Sequence, residues 1–343
     1  MRKGRKTIWV MVALITGISM AAIACGIPGN KKEVETIKIT NVSYDPTREF
    51  YEAYDELFQS YYQKKYRTKI AVIQSHGGSG SQARSVMEGA PGDVVTLALA
   101  QDVNLLERAG MIDSGWINEF EGNSSPYTSI IVFLVRTGNE KNIRDWEDLR
   151  KSGVEVITPD PKSSGGACWN FLAAWQYAKV TYPDNEKQRE EFMKDLYDHV
   201  TVMDSGSRGS TTTFVENGQG DVLIAWENEA LNTIKEYPGA YEIVTPKISI
   251  KAEPSVAVVD ENVKKTRKEQ AANEYLRYLY SEEAQNLIAA YGYRPYNKEI
   301  RNQYSNKFDV SVSLGTIHDY GGWDKAYEIF FTDGGIFDEI YGW

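Results

Sequence analysis

Short apolar runs rich in β-branched residues alternate with longer amphipathic stretches in the first third of the chain. The runs predict strands over residues 36–42, 68–74 and 93–99, and the stretches between them predict helices over residues 47–66 and 81–88. This order is βαβαβ, which is typical of a parallel sheet covered by helices. We therefore expect an α/β fold.

The same alternation continues and predicts a second α/β unit. Its predicted elements are strands over residues 129–136 and 154–158 and near Val200 and Val222, and helices over residues 165–180 and 187–199. The last third returns to strands over residues 241–245 and 254–259, followed by helices over residues 265–280 and 282–291. In such folds ligands bind beyond the carboxyl ends of the strands, where loops lead into helices.

The N-terminus has the pattern of an export signal. Four basic side chains lie among the first six residues, and an apolar stretch runs from residue 8 to residue 24. Small residues precede Cys25 as in a bacterial lipobox, so we expect a lipoprotein signal peptide over residues 1–24 and lipidation of Cys25. An uncleaved membrane anchor and ordinary cleavage remain alternatives. Residues 25–36 are polar and aperiodic, which predicts a tether.

The charge balance limits the partners of the exported part. The chain has 38 Lys and Arg against 48 Asp and Glu, and removal of the four basic leader residues leaves 34 against 48, a formal charge of −14. Nucleic acid is therefore not expected as a partner. If the ligand is an anion, the long-range field opposes its approach, and local donors must bind it. Once Cys25 is lipidated, only Cys168 remains, which excludes an intramolecular disulfide.

Four loops at predicted strand ends are rich in small and polar residues: residues 41–47, 75–80, 161–166 and 204–209. Glycine permits close approach of the backbone to a ligand, and a helix N-terminus offers unpaired N–H groups. Such loops can bind anions. Glycine and serine are also common in ordinary turns, so the loops alone leave both interpretations open.

Six segments resemble the periplasmic sulfate-binding proteins. They are NVSYDPTREFY (41–51), QSHGGSG (74–80), DVVTLALA (93–100), ITPDPKSSGGA (157–167), DSGSRGSTTTFVENGQGDVLIAWENEA (204–230) and YRPYN (293–297). The likeness runs in order from about residue 37 to residue 337. It implies the type II periplasmic-binding-protein fold, in which two α/β lobes close over the ligand. We expect one lobe over residues 37–117 and 254–343, the other over residues 126–244, and hinge crossovers over residues 118–125 and 245–253.

The resemblance also implies a site for sulfate made of uncharged donors. These are the backbone N–H groups of Asp45, Ser79, Gly165, Gly166 and Ser207, the hydroxyl of Ser164 and the indole N–H of Trp226. A hydrogen bond to a charged group contributes about 1.5 to 3 kcal/mol, so several together can offset the cost of desolvating a dianion. Sulfate carries no proton at neutral pH, whereas the proton of hydrogen phosphate would meet no acceptor in such a site. Cys168 stands where the family commonly has arginine.

The implied function is an exported, lipid-anchored protein, at the outer face of the cell membrane or in the periplasm. It would deliver sulfate to the permease and ATPase subunits of an ABC importer. We expect a monomer that is not an enzyme and needs no cofactor or metal, since the three histidines show no ligand spacing. Binding of thiosulfate or another tetrahedral oxyanion is the near alternative. A serine hydrolase using Ser79 or Ser164 is remote, because no G-x-S-x-G motif occurs.

Four side chains near the loops have two interpretations each. Trp226 lies in a buried-strand pattern, so a core tryptophan is the alternative to a donor. Arg48, Arg84 and Arg208 follow the loops closely and could pair with sulfate directly. We favour contacts with loop carbonyls or carboxylates, because the donors in the family's site are uncharged.

Overall fold

The computed structural model describes residues 36–342. The predicted export signal, Cys25 and nearly all of the predicted tether lie outside the described residues. The strands are β1 (Ile37–Tyr44), β2 (Ile70–Gly77), β3 (Val94–Leu97), β4 (Tyr127–Thr128), β5 (Ile131–Arg136), β6 (Val156–Pro159), β7 (Val200–Asp204), β8 (Val222–Trp226), β9 (Tyr241–Val244), β10 (Ile248–Ile250), β11 (Ser255–Val258), β12 (Arg294–Pro295) and β13 (Ser313–Gly315).

The helical segments connect these strands. They are α1 (Arg48–Tyr66), α2 (Ser79–Met87), α3 (Ala100–Arg108), α4 (Glu121–Ser124), α5 (Gly165–Thr181), α6 (Glu186–Asp198), α7 (Ser207–Val215), α8 (Glu227–Glu236), α9 (Asp260–Thr266), α10 (Glu269–Tyr278), α11 (Glu282–Ala290), α12 (Lys298–Gln303), α13 (Trp323–Phe330) and α14 (Ile336–Tyr341). Among the helices described, none is both long and apolar enough to cross a membrane.

The first sheet has the strand order β11-β3-β1-β2. Strand β1 pairs in parallel with both β2 and β3, and β11 returns antiparallel to β3. Apolar clusters cover both faces of this sheet: α1 and α10 supply one, and α2 and α3 supply the other. Burial on both faces explains why β3 is a continuous apolar run apart from Thr96.

The second sheet has the order β7-β6-β8-β5-β9. Strand β6 is parallel to β7 and β8, whereas β5 is antiparallel to β8 and β9. The alternation of strands and helices therefore predicts the parallel core of each sheet, and the antiparallel strands β5 and β11 are additions to it. Helix α5 covers one face of the second sheet with an almost wholly buried surface.

Two predicted helices differ from those observed. The stretch predicted as one helix over residues 265–280 is two helices, because Arg267 has a left-handed backbone with a φ of 57°, which ends α9. The helix predicted to begin at residue 81 begins at Ser79. This earlier start places the backbone N–H of Ser79 in the first turn of α2.

The C-terminal helices α13 and α14 pack in the cluster that covers the second sheet. The rings of Trp169 and Trp323 meet edge to face with centroids 4.7 Å apart, and those of Phe171 and Phe337 lie 5.8 Å apart. The predicted lobes placed residues 254–343 with the first sheet. Those lobe boundaries stay a prediction, and the packing of the last two helices favours counting them with the second sheet.

Candidate anion-binding site

The loops that follow β1, β2, β6 and β7 meet at one small cavity. It is lined by Tyr44, Asp45, Pro46, Gly77, Gly78, Ser79, Ser164, Gly166 and Ser207. The first two loops come from the first sheet and the other two from the second, so the cavity lies between the sheets. It encloses about 180 Å³, including space open to solvent, which is less than the roughly 300 to 1,000 Å³ of most small-molecule sites. A small ion suits this volume better than a sugar.

Three helices begin at the cavity. Helix α2 begins at Ser79, α5 at Gly165 and α7 at Ser207, and they are 9, 17 and 9 residues long. The first N–H groups of an α-helix have no acceptor within the helix, and the helix dipole adds positive potential at this end. Three such ends around one cavity make it favourable for an anion.

Ser79 is held rigidly in this arrangement. Its side chain is almost fully buried, its hydroxyl oxygen accepts a hydrogen bond from the N–H of Ala98 at 3.0 Å, and its O–H donates to Oδ2 of Asp102 at 2.5 Å. Because the hydroxyl has both an acceptor and a donor partner, the backbone N–H is the group that Ser79 can offer to a ligand.

Ser164 precedes α5 and caps it. Its hydroxyl oxygen accepts from the N–H of Ala167 at 3.4 Å, a long bond, and the residue is 4% exposed. A capping serine accepts through its oxygen, so its O–H stays available as a donor. Ser164 can therefore donate its hydroxyl into the cavity that it lines.

Neighbouring polar side chains leave little room for a side chain at Gly166. A Cβ atom there would lie 2.7 Å from Oγ of Ser207, 3.4 Å from Nε1 of Trp226 and 3.5 Å from Oγ of Ser164. The position thus faces two groups predicted to donate to the ligand, the Trp226 indole N–H and the Ser164 hydroxyl, together with the side chain of Ser207, whose backbone N–H is the predicted donor. A methyl group at Gly166 would occupy space next to all three.

Gly165 has a different reason to be glycine. A Cβ atom would lie 2.9 Å from Cγ of Leu99 and 3.0 Å from Cβ of Ser79. Both neighbours belong to the first-sheet side, whereas α5 packs on the second sheet. The absence of a side chain allows the N-terminus of α5 to approach α2 closely.

Trp226 is the last residue of β8 and is fully buried. Its indole N–H donates to the carbonyl oxygen of Gly166 at 3.1 Å, and its ring lies against Tyr44 with centroids 5.5 Å apart. The structure therefore places the indole beside the cavity, with its N–H bonded to a carbonyl. To donate to an anion, this N–H must either leave the carbonyl oxygen of Gly166 or form a bifurcated hydrogen bond with the carbonyl oxygen and the anion.

Asp45 begins a 3-10 turn over Asp45–Thr47, directly after β1. A Cβ atom on Gly206 would lie 3.0 Å from Oδ2 of Asp45, so the carboxylate touches the loop before α7. Burial raises the pKa of Asp45, and the nearby Arg48 and Arg208 act in the opposite direction. The carboxyl group thus lies at the contact between the two sides of the cavity.

The arginines near the loops bond to protein groups. Arg48 lies 3.9 Å from Asp45, Arg208 lies 2.6 Å from Glu49, and Arg84 donates to the hydroxyl of Ser81 at 3.2 Å. The predicted contacts with carboxylates are confirmed for Arg48 and Arg208, whereas Arg84 bonds to a hydroxyl. The Arg208–Glu49 pair joins α7 to α1.

The side chains do not form a hydrolase triad within residues 36–342. His76 lies 3.5 Å from Oγ1 of Thr47, and burial, followed by Arg48, lowers the pKa of His76 to about 4. Neither Ser79 nor Ser164 bonds to this imidazole. Cys168 is buried in α5 and its thiol donates to the carbonyl oxygen of Pro161 at 3.3 Å. No group of three His, Cys, Asp or Glu side chains that could hold a metal occurs in the described part of the chain.

The sequence did not single out Asp102, which lies directly behind Ser79. It is 4% exposed, and burial raises its pKa to about 6. Helix α3, which carries it, was also not predicted. Its position in the sequence could have indicated it. Asp102 follows the strand predicted over residues 93–99 by three residues, and ligand sites in such folds lie at the carboxyl ends of parallel strands.

Two α/β halves with an ion-sized cavity lined by helix N-termini are the architecture of a protein that holds a small solute. Residues 47–294 match the family model described as bacterial extracellular solute-binding protein. The chain belongs to this family of extracytoplasmic binding proteins for transport, and the resemblance to periplasmic sulfate-binding proteins is confirmed by its relatives.

Two relatives and one solved structure show the similarity to sulfate-binding and thiosulfate-binding proteins. The chain is 52% identical over 306 residues to the sulfate-binding protein of Escherichia coli (strain K12), covering 89% of this chain and 93% of that protein. It is 41% identical over 305 residues to the thiosulfate-binding protein of Pseudomonas aeruginosa PAO1, covering 88% and 92%. The sulfate-binding protein SubI from Mycobacterium tuberculosis H37Rv superposes with a TM-score of 0.79 at 34% identity, covering 86% and 99%. The predicted two-lobed fold class is thereby confirmed.

Proposed function

We propose that this protein binds sulfate outside the cytoplasm and delivers it to an ABC importer. The observation that carries the proposal is the convergence of three helix N-termini on one small cavity whose nearby arginines bond to protein groups. The backbone N–H groups of Asp45, Ser79, Gly165, Gly166 and Ser207, the Ser164 hydroxyl and the Trp226 indole N–H would hold the dianion.

Selectivity follows from the chemistry of these groups. All seven groups donate hydrogen bonds to the ligand, and none accepts a hydrogen bond from it. Sulfate presents only acceptors, whereas hydrogen phosphate brings an O–H that would be left without a partner. An unpaired buried polar group costs about 1 to 3 kcal/mol, so phosphate should bind roughly tenfold to a hundredfold more weakly or worse.

Thiosulfate is the second candidate ligand, because one of the relatives is a thiosulfate-binding protein. The higher identity to the sulfate-binding relative, 52% against 41%, favours sulfate. The small cavity also favours the smaller anion, since a sulfur atom is larger than the oxygen that it replaces. Catalysis by Ser79 is disfavoured, because its hydroxyl donates to Asp102 rather than to an imidazole.

The proposal includes export and anchoring through lipidated Cys25, action as a monomer, and partnership with a permease and its ATPase. The net negative charge of the exported part argues against nucleic acid as a partner. Cys25→Ser should release the protein from membranes, and unchanged membrane retention would instead indicate an uncleaved anchor.

Isothermal titration calorimetry with sulfate, thiosulfate, molybdate and phosphate tests the ligand. We expect sulfate to bind most tightly and phosphate to bind poorly at neutral pH. Failure to bind sulfate, or equal binding of phosphate, would contradict a site made only of donors.

A further inference from the structure

A buried carboxyl group lies directly behind one of the anion loops. Asp102, in the first turn of α3, is 4% exposed, and its Oδ2 accepts from the hydroxyl of Ser79 at 2.5 Å. Ser79 also lines the cavity, and its backbone N–H is one of the donors proposed for the anion. One serine and two hydrogen bonds therefore separate the carboxyl from a bound anion, a span of about 6 to 8 Å at ordinary hydrogen-bond lengths.

Asp102 has no cationic partner among the described residues, because no Lys, Arg or His nitrogen forms an ion pair with it. The charge of Arg84 on α2 acts to lower the pKa of Asp102, and both Nη1 of Arg84 and Oδ1 of Asp102 lie near Gly80, but the two side chains form no ion pair. The other titratable groups that face Asp102 are Cys168 on α5 and Tyr327 on α13. Burial raises the pKa of Cys168 well above its usual range and that of Tyr327 to about 12, so both are neutral at pH 7.

A dianion next to this carboxyl creates an electrostatic conflict. An ionised Asp102 and a bound sulfate would place three negative charges within one partly desolvated region. A like charge at this distance favours the neutral form of a carboxyl group. Burial already raises the pKa of Asp102 to about 6 before the ligand arrives, so a proton can resolve the conflict near neutral pH.

We propose that Asp102 takes up a proton from solvent when the anion binds, so that the protein captures the dianion together with one proton. This inference rests on the proposed function. The protonated carboxyl retains an oxygen that accepts from the hydroxyl of Ser79, so the loop geometry is preserved. Asp102 is thus a positioning residue whose protonation state sets the affinity for the anion.

Linkage gives the size of the effect. Suppose that the bound anion raises the pKa of Asp102 from about 6 by about 1 to 1.5. The protein then takes up about 0.4 to 0.7 proton per sulfate at pH 7. The affinity for sulfate rises about 7- to 20-fold when the pH falls from 8 to 5.5. Sulfate itself stays fully deprotonated over this range, so its own titration does not contribute.

Calorimetric titration with sulfate in two buffers of different ionisation enthalpy measures the protons taken up. We expect the wild type to take up a proton and Asp102→Asn to take up none, with a sulfate affinity that no longer depends on pH. Glu229→Gln is the matched control: burial raises the pKa of Glu229 to about 7, but it lies on α8 among Arg208, Asp45 and Glu49. Proton uptake should persist in this variant.

Several results would overturn the inference. Sulfate binding without proton uptake in the wild type, or uptake that persists in Asp102→Asn and is lost in Glu229→Gln, excludes Asp102 as the acceptor. An infrared difference spectrum of the wild type gives an independent readout if Asp102→Asn fails to fold. Adding sulfate should produce the carbonyl band of a protonated carboxylic acid, and its absence would refute the inference. No sulfate binding at any pH would refute the proposed function and this inference with it.

Discussion

Gly166→Ala separates anion binding from folding most sharply. The new Cβ would lie 2.7 Å from Oγ of Ser207 and 3.4 to 3.5 Å from Nε1 of Trp226 and Oγ of Ser164. The closest contact is the end of a serine side chain, which can rotate away, so the fold should accept the methyl group. The anion cannot share the same space, because a methyl group offers no hydrogen bond and blocks an oxygen from its donors.

The magnitude follows from the donors that are blocked. Losing two hydrogen bonds to a charged ligand, each worth about 1.5 to 3 kcal/mol, weakens binding by about 3 to 6 kcal/mol, or two to four powers of ten. Replacing a glycine by alanine inside a helix contributes about 0 to 1 kcal/mol of stability in the opposite direction. Affinity should therefore collapse while the free energy of unfolding stays level or rises.

Calorimetry with sulfate and urea unfolding in sulfate-free buffer measure the two quantities separately. Gly80→Ala is the matched control, because Gly80 is likewise the second residue of a helix and a Cβ there meets its neighbours at ordinary distances of 3.4 and 3.5 Å. A folded Gly166→Ala protein that binds sulfate within about threefold of the wild type would refute the assignment of this cavity as the site.

Three other results are expected. Ser164→Ala and Trp226→Phe should each weaken sulfate by about 1 to 3 kcal/mol in calorimetry, and unchanged affinity in both would remove the proposed donors. Arg208→Met should change affinity by less than about fivefold, because its bond is an exposed ion pair with Glu49, whereas a loss above a hundredfold would mean direct contact with the anion. Burial raises the pKa of Asp55 to about 6, and a carboxyl whose pKa is raised by folding stabilises the folded state while it is protonated. The ligand-free protein should therefore lose stability as the pH rises from about 4 to about 7, and Asp55→Asn should reduce this fall in urea unfolding.

Local features of the site were predictable from the sequence. The loops at residues 75–80, 161–166 and 204–209 combine glycine and serine directly after apolar runs, and each leads into a helix in the structure. Strand ends and helix starts depend on residues close together in the chain, so pattern alone locates them within a few positions. The choice of sulfate among anions came from the family resemblance, since many anions suit such loops.

Contacts between distant residues were not predictable in this way. The bond between Ser79 and Asp102 spans 23 positions, and the bond between the Trp226 indole and the Gly166 carbonyl spans 60. Neither leaves a periodic trace in the sequence. The left-handed backbone at Arg267 was also missed, because an arginine carries no signal for positive φ.

A crystal structure with selenate in place of sulfate would show where the anion binds, since the anomalous scattering of selenium locates it. We expect an anion between the two sheets, with its oxygens about 2.7 to 3.1 Å from the backbone nitrogens of Ser79, Gly166 and Ser207. We also expect the guanidinium group of Arg208 to remain paired with Glu49. An anion bound elsewhere, or held by an arginine side chain, would contradict the proposed site.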